Sequence, residues 1–249
     1  MKPVAVYSTV LGCLATEAAA GFGHIINQVS SFAHSNTGGL SDITFPIQLG
    51  QVKHTSGFYF AQTWYFNIKA SETAAYIGLQ PRPDSNGQTV LHAAFSSFVA
   101  GTKTTHPNCY SGADSGAGVS CAVEIPQASY DHVWDLTVAS VGNNTWRGTM
   151  TDSVTKAAYE IGVWTIPSPA LITKNQIINF FEYYPFNAVG VPDCKTLPKA
   201  DVTFYLPTSK TGSHASYRTP YEVGDCQKKA NVAWKQLASG AWSQSAGFW

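Results

Sequence analysis

The stretch GFYFAQTWYFNIK, residues 57–69, decides the fold. In an extended chain successive side chains point to opposite faces. Phe58, Phe60, Trp64 and Phe66 then share one face, and Tyr59, Ala61, Thr63 and Tyr65 share the other. A run this dense in aromatic residues fits a pleated sheet better than a helix. Similar runs follow on both sides. DITFPIQL (42–49) alternates, and Pro46 marks it as an edge strand, because proline cannot donate to a ladder. TAAYIGLQ (73–80) and QTVLHAAFSSF (88–98) flank PRPDSNG, in which Asn86-Gly87 is a hairpin signal, here with a longer loop. HVWDLTVASV (132–141) and TWRGTMTD (145–152) flank Gly142-Asn143-Asn144 in a second hairpin. VSCAVEI (119–125), AAYEIGVWTI (157–166), QIINFFEYY (176–184) and ADVTFYL (200–206) complete the strand set. Residues 21–40 read as a leader strand or short helix followed by a loop. The Trp-rich end, 234–249, is expected to dock as a final strand.

No amphipathic helical period longer than two turns follows the N-terminal segment. Strands every 10–15 residues or so, with Gly, Pro and Asn turns between them, predict an all-β antiparallel sandwich; a β-barrel is the alternative.

The first residues carry Lys2, an apolar run from Val4 to Ala15, and the small-x-small pattern Ala18-Ala19-Ala20. This is the form of a secretory signal peptide, residues 1–20, leaving 21–249 as one domain. The alternative is a buried first helix. Of five cysteines, Cys13 leaves with the signal, and Cys109, Cys121, Cys194 and Cys226 remain. An even number in an oxidising compartment implies disulfides. Three pairings are possible; Cys109–Cys121 with Cys194–Cys226 is preferred because each closes a loop without threading the chain. These crosslinks are worth about 3 and about 4 kcal/mol on the chain-entropy model. Without a Cys-x-x-Cys pair, the four do not read as a zinc site.

Formal net charge is zero and only 12% of residues are charged. A phosphate backbone needs a basic patch, so nucleic acid is not an expected partner. No segment supplies the roughly 18 consecutive apolar residues of a membrane span, so membrane insertion is not expected either.

YIGLQ (76–80), HAAFSSF (92–98), the Gly/Ser loop between Cys109 and Cys121, EIGVWTIP (160–167) and FFEYYP (180–185) occur in an order that resembles a family of secreted bacterial and fungal proteins built on a domain of unknown function. In that family an aromatic strand leads into Tyr-x-Gly-x-Gln, followed by a Phe-Ser-x-Trp strand, a Gly-rich Cys loop and a strand ending near Phe-x-Glu-Tyr. The resemblance covers residues 57–206, with Phe98 where the family has Trp. It implies a sandwich of jelly-roll or concanavalin-like shape, related to lectin-like and polysaccharide-handling proteins, and no established reaction.

Candidate chemistry is sparse. There is no Gly-x-Ser-x-Gly elbow, and the cysteines are expected to be paired. Glu160 and Glu182 sit on aromatic-rich segments that could be neighbouring strands, the arrangement a glycosidase needs. The plainer reading has each on a solvent face. Tyr76, His92 and Arg82 form a lyase-like set, with Tyr or His as base and Arg as neutraliser. Against this, a His between Leu91 and Ala93 is more often a packed, hydrogen-bonded residue. Trp64, Tyr65, Tyr76, Trp164, Tyr183 and Tyr184 are candidate platforms for sugar rings or protein contacts, although most aromatics of a sandwich fill its core. Asp114, in the stapled loop, is a candidate binding residue; one carboxylate falls far short of a calcium site, and no metal or cofactor is expected. Asn143-Asn144-Thr145 is an N-glycosylation sequon on a turn.

The functional expectation is a secreted, non-catalytic binding protein of effector type, a virulence factor acting on an extracellular host protein, most concretely as an inhibitor of a secreted protease. The braced 109–121 loop would enter its cleft with little entropy left to lose. The alternatives are a carbohydrate-binding module for cell-wall polysaccharide, and a polysaccharide lyase or glycoside hydrolase.

Overall fold

A computed structural model describes residues 23–188 and 191–249. The predicted signal peptide and Cys13 lie outside the described residues. Two antiparallel sheets pack face to face. The first contains β1 (His24–Ser35), β3 (Phe58–Tyr65), β4 (Ala74–Ser85), β5 (Gln88–Ser97), β6 (Cys109–Ala113), β7 (Gly116–Pro126), β11 (Ile177–Tyr183), β13 (Gly212–Tyr217) and β14 (Tyr221–Glu222). Its order is β13-β1-β11-β3-β4-β5-β7-β6, with β14 paired to β1. The second contains β2 (Asp42–Val52), β8 (Trp134–Gly142), β9 (Thr145–Asp152), β10 (Ala158–Thr165), β12 (Ala200–Phe204), β15 (Ala233–Gln236) and β16 (Trp242–Ala246), in the order β10-β9-β8-β2-β12-β16-β15. The fold is a sandwich, not a closed barrel, as the strand pattern predicts.

The alternation of residues 57–69 is realised in β3. Phe58, Phe60 and Trp64 enter the core between the sheets, where Trp64 stacks on Phe45 and Phe95. Trp134, Trp146 and Trp164 are buried with them. A Trp or Phe lost from such a core costs about 3–5 kcal/mol. A buried row of amides also lines the core: Gln28, Asn179 and Gln62 lie opposite one another on β1, β11 and β3. Gln244 of the other sheet donates to Gln28 Oε1 (2.9 Å), tying the two sheets together.

Three turns obey their local chemistry. Asn86-Gly87, Asp114-Ser115 and Asn143-Asn144 all take positive φ and close two-residue hairpins. The first is tighter than predicted, because β4 runs on through Ser85. Pro46 departs from expectation: β2 lies inside its sheet, between β8 and β12. Its carbonyl accepts from Tyr205, one residue past the end of β12, so the N–H it lacks faces that strand's end rather than a ladder. Residues 24–35, expected as leader and loop, are one long strand. The C-terminal segment docks as the β15–β16 hairpin; Trp242 is buried and Trp249 is exposed.

Both preferred disulfides are present, Cys109–Cys121 and Cys194–Cys226. The first joins directly opposed residues of β6 and β7. Gly162 on β10 lies against it, and a Cβ there would collide with both cysteines. No helix among the described residues is long and apolar enough to cross a membrane.

Candidate functional site

The core takes one face of the nine-stranded sheet, and the other face points outward. Register fixes what stands on that outer face. One row runs Phe180, Ala61, Gly78, Ala94, Ala122 across β11, β3, β4, β5 and β7. A Cβ at Gly78 would strike Ala61 and the Phe60 carbonyl, so this floor admits only small residues. The adjoining row carries Glu182, Tyr59, Gln80, His92 and Glu124. On the other side stand Tyr76, Ser96 and Ser120. Tyr59, Tyr76 and Phe180 lean over the small floor and meet edge to face, Tyr59 at 5.4 Å from Tyr76 and 5.3 Å from Phe180. They form a second apolar cluster, separate from the core, with Tyr184 packed against it.

Glu182 stands at the edge of this cluster and is 8% exposed. Its Oε1 accepts from Asn187 Nδ2 (2.7 Å), on the 3₁₀ turn Tyr184–Ala188 that follows β11. His24 Nε2 is 4.0 Å away, stacked flat on Phe180 at 4.6 Å. A bulge in β1 buries both Ile25 and Ile26 and turns His24 onto the outer face. Burial pushes the Glu182 carboxyl up to about 7; the Asn187 hydrogen bond opposes the rise and the charge of Asp114 adds to it. Burial also lowers the proton affinity of His24, so His24 supplies Glu182 with little positive charge near neutrality.

Asp114 reaches the same cluster from the stapled hairpin. Tyr76 OH donates to Asp114 Oδ1 (3.3 Å), and partial burial raises the Asp114 carboxyl above its ordinary value, with the Tyr76 bond opposing. Tyr59 OH is buried and makes no well-formed hydrogen bond. It lies close enough to Tyr76, Asp114 and Glu182 for their charges to add to the effect of burial in raising its pKa. A buried, unsatisfied hydroxyl beside two carboxyls of differing proton affinity is costly to the fold and suited to chemistry.

The sequence candidates divide. Tyr76, Glu182 and Asp114 come together. Glu160 does not join Glu182: β10 and β11 lie in different sheets, and Glu160 pairs instead with Arg147 Nε (2.8 Å) and His106 Nε2 (2.9 Å) in a surface ion cluster. The Tyr76/His92/Arg82 set is also split. His92 Nδ1 donates to Glu124 Oε1 (2.8 Å) and Arg82 Nε to the same oxygen (3.4 Å), whereas Tyr76 belongs to Asp114. Burial depresses the His92 pKa, against the pull of Glu124. Among the candidate platforms, Trp64 and Trp164 are core residues and present no face. Tyr183 is half-buried between Phe58 and Phe186. Tyr65 lies further along the outer face. Asn143 is exposed at its turn. No group of three or more potential metal ligands occurs among the described residues. Tyr59, His24 and Asn187 are not among the sequence candidates; for Tyr59 the available signal is its place opposite Phe58 and Phe60 in the 57–69 alternation.

No protein-family model matches the chain, and no curated protein matches it in sequence. Similar solved structures include scytalido-glutamic peptidase with a peptide-based transition-state analogue, 10% identical over 91% of this chain and 98% of that one, TM-score 0.48. SCP-B, a member of the eqolisin family of peptidases in complex with the tripeptide Ala-Ile-His, is 9% identical over the same shares, TM-score 0.48. The CBM2 module of an evolved Dit protein from Lactobacillus casei BL23 phage J-1 is 12% identical over 62% of this chain and 67% of that one, TM-score 0.30. Likenesses this distant leave the site to stand on its own residues.

Proposed function

We propose that this protein is an extracellular acid hydrolase of extended polypeptides, with Glu182 and Asp114 sharing the proton transfers. The observation that carries the reading is a buried carboxyl, held near pKa 7 without a close cation, beside a second carboxyl and two tyrosine hydroxyls on an outward sheet face. Carboxyls whose environments push their proton affinities apart divide naturally into acid and base. In this division Asp114 serves as the base and Glu182, raised to about 7, as the acid. Asp114 takes a proton from water as its oxygen bonds to the scissile carbonyl carbon. Glu182 gives its proton to the departing amine nitrogen as the C–N bond breaks. The unsatisfied hydroxyl of Tyr59 is the donor available to the oxygen that gains charge, while Tyr76 holds the Asp114 carboxyl. Solvent exchange then restores both carboxyls.

Polypeptide is favoured over glycan because the rings packed at Glu182 meet edge to face, Tyr59 against Tyr76 and Phe180, and Trp64 and Trp164 are in the core. The two disulfides fit an oxidising compartment. The test is cleavage of an unfolded protein by the purified, oxidised chain between pH 3 and 8, beside Glu182→Gln and Asp114→Asn. A bell-shaped profile falling above about pH 7 is expected, with both variants losing at least a hundredfold. A wild type that cleaves nothing, or a Glu182→Gln variant of full activity, would overturn the reading.

A second reading keeps the hairpin as a docking element for an extracellular protein, a secreted protease included. Tyr110, 63% exposed on the stapled β6, favours it. The hairpin tip, however, is tied back to its own sheet through Tyr76 rather than projecting as an inhibitory loop. Tyr110→Ala abolishing capture of such a protease, with Glu182→Gln binding normally, would establish it over the hydrolase.

A further inference from the structure

A cavity lies on the same outer face, beyond the Tyr59 cluster. It has a volume of about 630 Å³ and continues into one of about 350 Å³. Both are bounded by Val29 of β1, Tyr65 at the end of β3, Gln176 and Arg218. Ile178 and Tyr221 close the second. Ser31, Thr173 and Asn175 add polar groups to the first, so the walls mix aromatic, apolar and neutral polar groups with the one charged side chain of Arg218. Arg218 is held by its backbone: its N–H donates to the Val29 carbonyl (2.8 Å), and its own carbonyl accepts from buried Gln28 (2.9 Å). Its guanidinium forms no ion pair among the described residues. Burial raises the proton affinity of Tyr65 and the charge of nearby Glu72 adds to it, but the Glu72 carboxylate is engaged by the N–H groups of Thr73 and Ala74. A guanidinium without an ion-pair partner among the described residues, lining a cavity with Tyr65 and Tyr221, matches a carboxylate in charge and fork geometry.

The cavity and Glu182 are joined along one strand. Ile178, Phe180 and Glu182 follow one another on the outer face of β11. Four to six residues at about 3.3 Å each separate Glu182 from the cavity, on the order of 13–20 Å. An extended polypeptide lying along β11 with a scissile bond at Glu182 would place a side chain four to six residues away in the cavity. We propose that this cavity is a specificity subsite for an acidic side chain of the substrate, recognised by Arg218 and seated between Tyr65 and Tyr221. The proposal rests on the hydrolase reading for its direction along β11, but not for the carboxylate pocket itself.

The test uses C-terminally amidated peptides differing only in Glu, Gln or Lys four, five or six residues from the cleaved bond, so that side-chain and terminal carboxylates are separated. Cleavage is followed with wild type, Arg218→Ala and Arg218→Glu. Binding of the same peptides to Glu182→Gln, with and without Arg218→Glu, is followed by fluorescence anisotropy. The expected result is a KM about tenfold lower for Glu than for Gln at one of those positions, lost in Arg218→Ala and reversed toward Lys in Arg218→Glu. If no peptide is cleaved but Glu182→Gln binds the Glu peptides and loses them with Arg218→Glu, the hydrolase reading fails and the subsite stands. If the three peptides are cleaved alike by every variant, the hydrolase stands and the subsite is overturned. Absence of both cleavage and charge-dependent binding overturns both.

Discussion

Glu182 and Asp152 are both carboxyls at the ends of strands, 8% and 4% exposed, and they titrate in opposite directions. Burial alone would raise both. At Asp152 it is outweighed: His132 Nδ1 donates at 2.8 Å, and the N–H groups of Val154 and Thr155 donate at 2.7 and 3.2 Å. These hold its pKa down to about 2. Asp152 thus organises the turn between β9 and β10, and every lone pair it uses is spent on structure. Glu182 has one amide, from Asn187, and a histidine 4.0 Å away whose own proton affinity is lowered. Its Oε2 accepts no hydrogen bond within the described protein. A buried acid saturated with donors is a fastener; one left nearly bare beside an unsatisfied tyrosine is a place where a proton is exchanged.

The contrast breaks most visibly under substitution. Asp152→Ala strands buried N–H donors, and a loss of about 3 kcal/mol in urea unfolding is expected. Glu182→Gln keeps the amide contact and removes the cost of ionisation. At pH 8 it should be more stable than wild type by up to about 3 kcal/mol, the equivalent of its shift from 4.5 to about 7. If Glu182→Gln is destabilised as much as Asp152→Ala, the two carboxyls are the same kind of residue and the contrast fails.

Acidity separates them next. The folded-state pKa of Glu182 is raised, so its contribution is present below about pH 4.5 and is lost as pH rises through about 7. That of Asp152 is depressed, so its contribution is present above about pH 4 and is lost as pH falls through about 2. Unfolding free energies across pH 2–8 for wild type and Glu182→Gln should differ in slope only between roughly pH 4.5 and 7. Parallel curves over that window would contradict the assignment.

Smaller effects sharpen the picture. Asn187→Ala removes the bond that opposes the rise, so the Glu182 titration should move further up. Asp114→Asn removes a neighbouring charge, so it should move down. A carboxyl NMR titration of each variant reads both signs; a shift of either in the opposite sense would mean that the neighbours act otherwise than the geometry implies.

Much of the scaffold was legible because its causes are local. The alternation of 57–69 separates Phe58 and Phe60 from Tyr59 on opposite faces, and loop closure pairs Cys109 with Cys121 and Cys194 with Cys226, as found. Pro46 misled, because the rule that proline marks an edge assumes the neighbouring strand continues past it. The site was legible only in pieces. Tyr76, Glu182 and Asp114 each stand out in the sequence, but the aromatic-rich segments pair Glu182 with Glu160, near it in sequence and in a different sheet of the fold. The connection from β10 to β11 crosses between sheets, and no periodicity in either strand records that crossing. For Tyr59 the alternation gives a face but no role, and His24 and Asn187 give no sign, because what makes them relevant is register across β1, β11 and β3 together with a bulge at Ile25 and Ile26.

The most direct test of the central claim is the titration of Glu182 itself. Carbon-13 carboxyl NMR of the oxidised protein, with the resonance assigned by its absence in Glu182→Gln, should give a midpoint of about 7. A midpoint in the ordinary carboxylate range, near 4.5, would show that water or charge reaches the group freely and that it is no proton store.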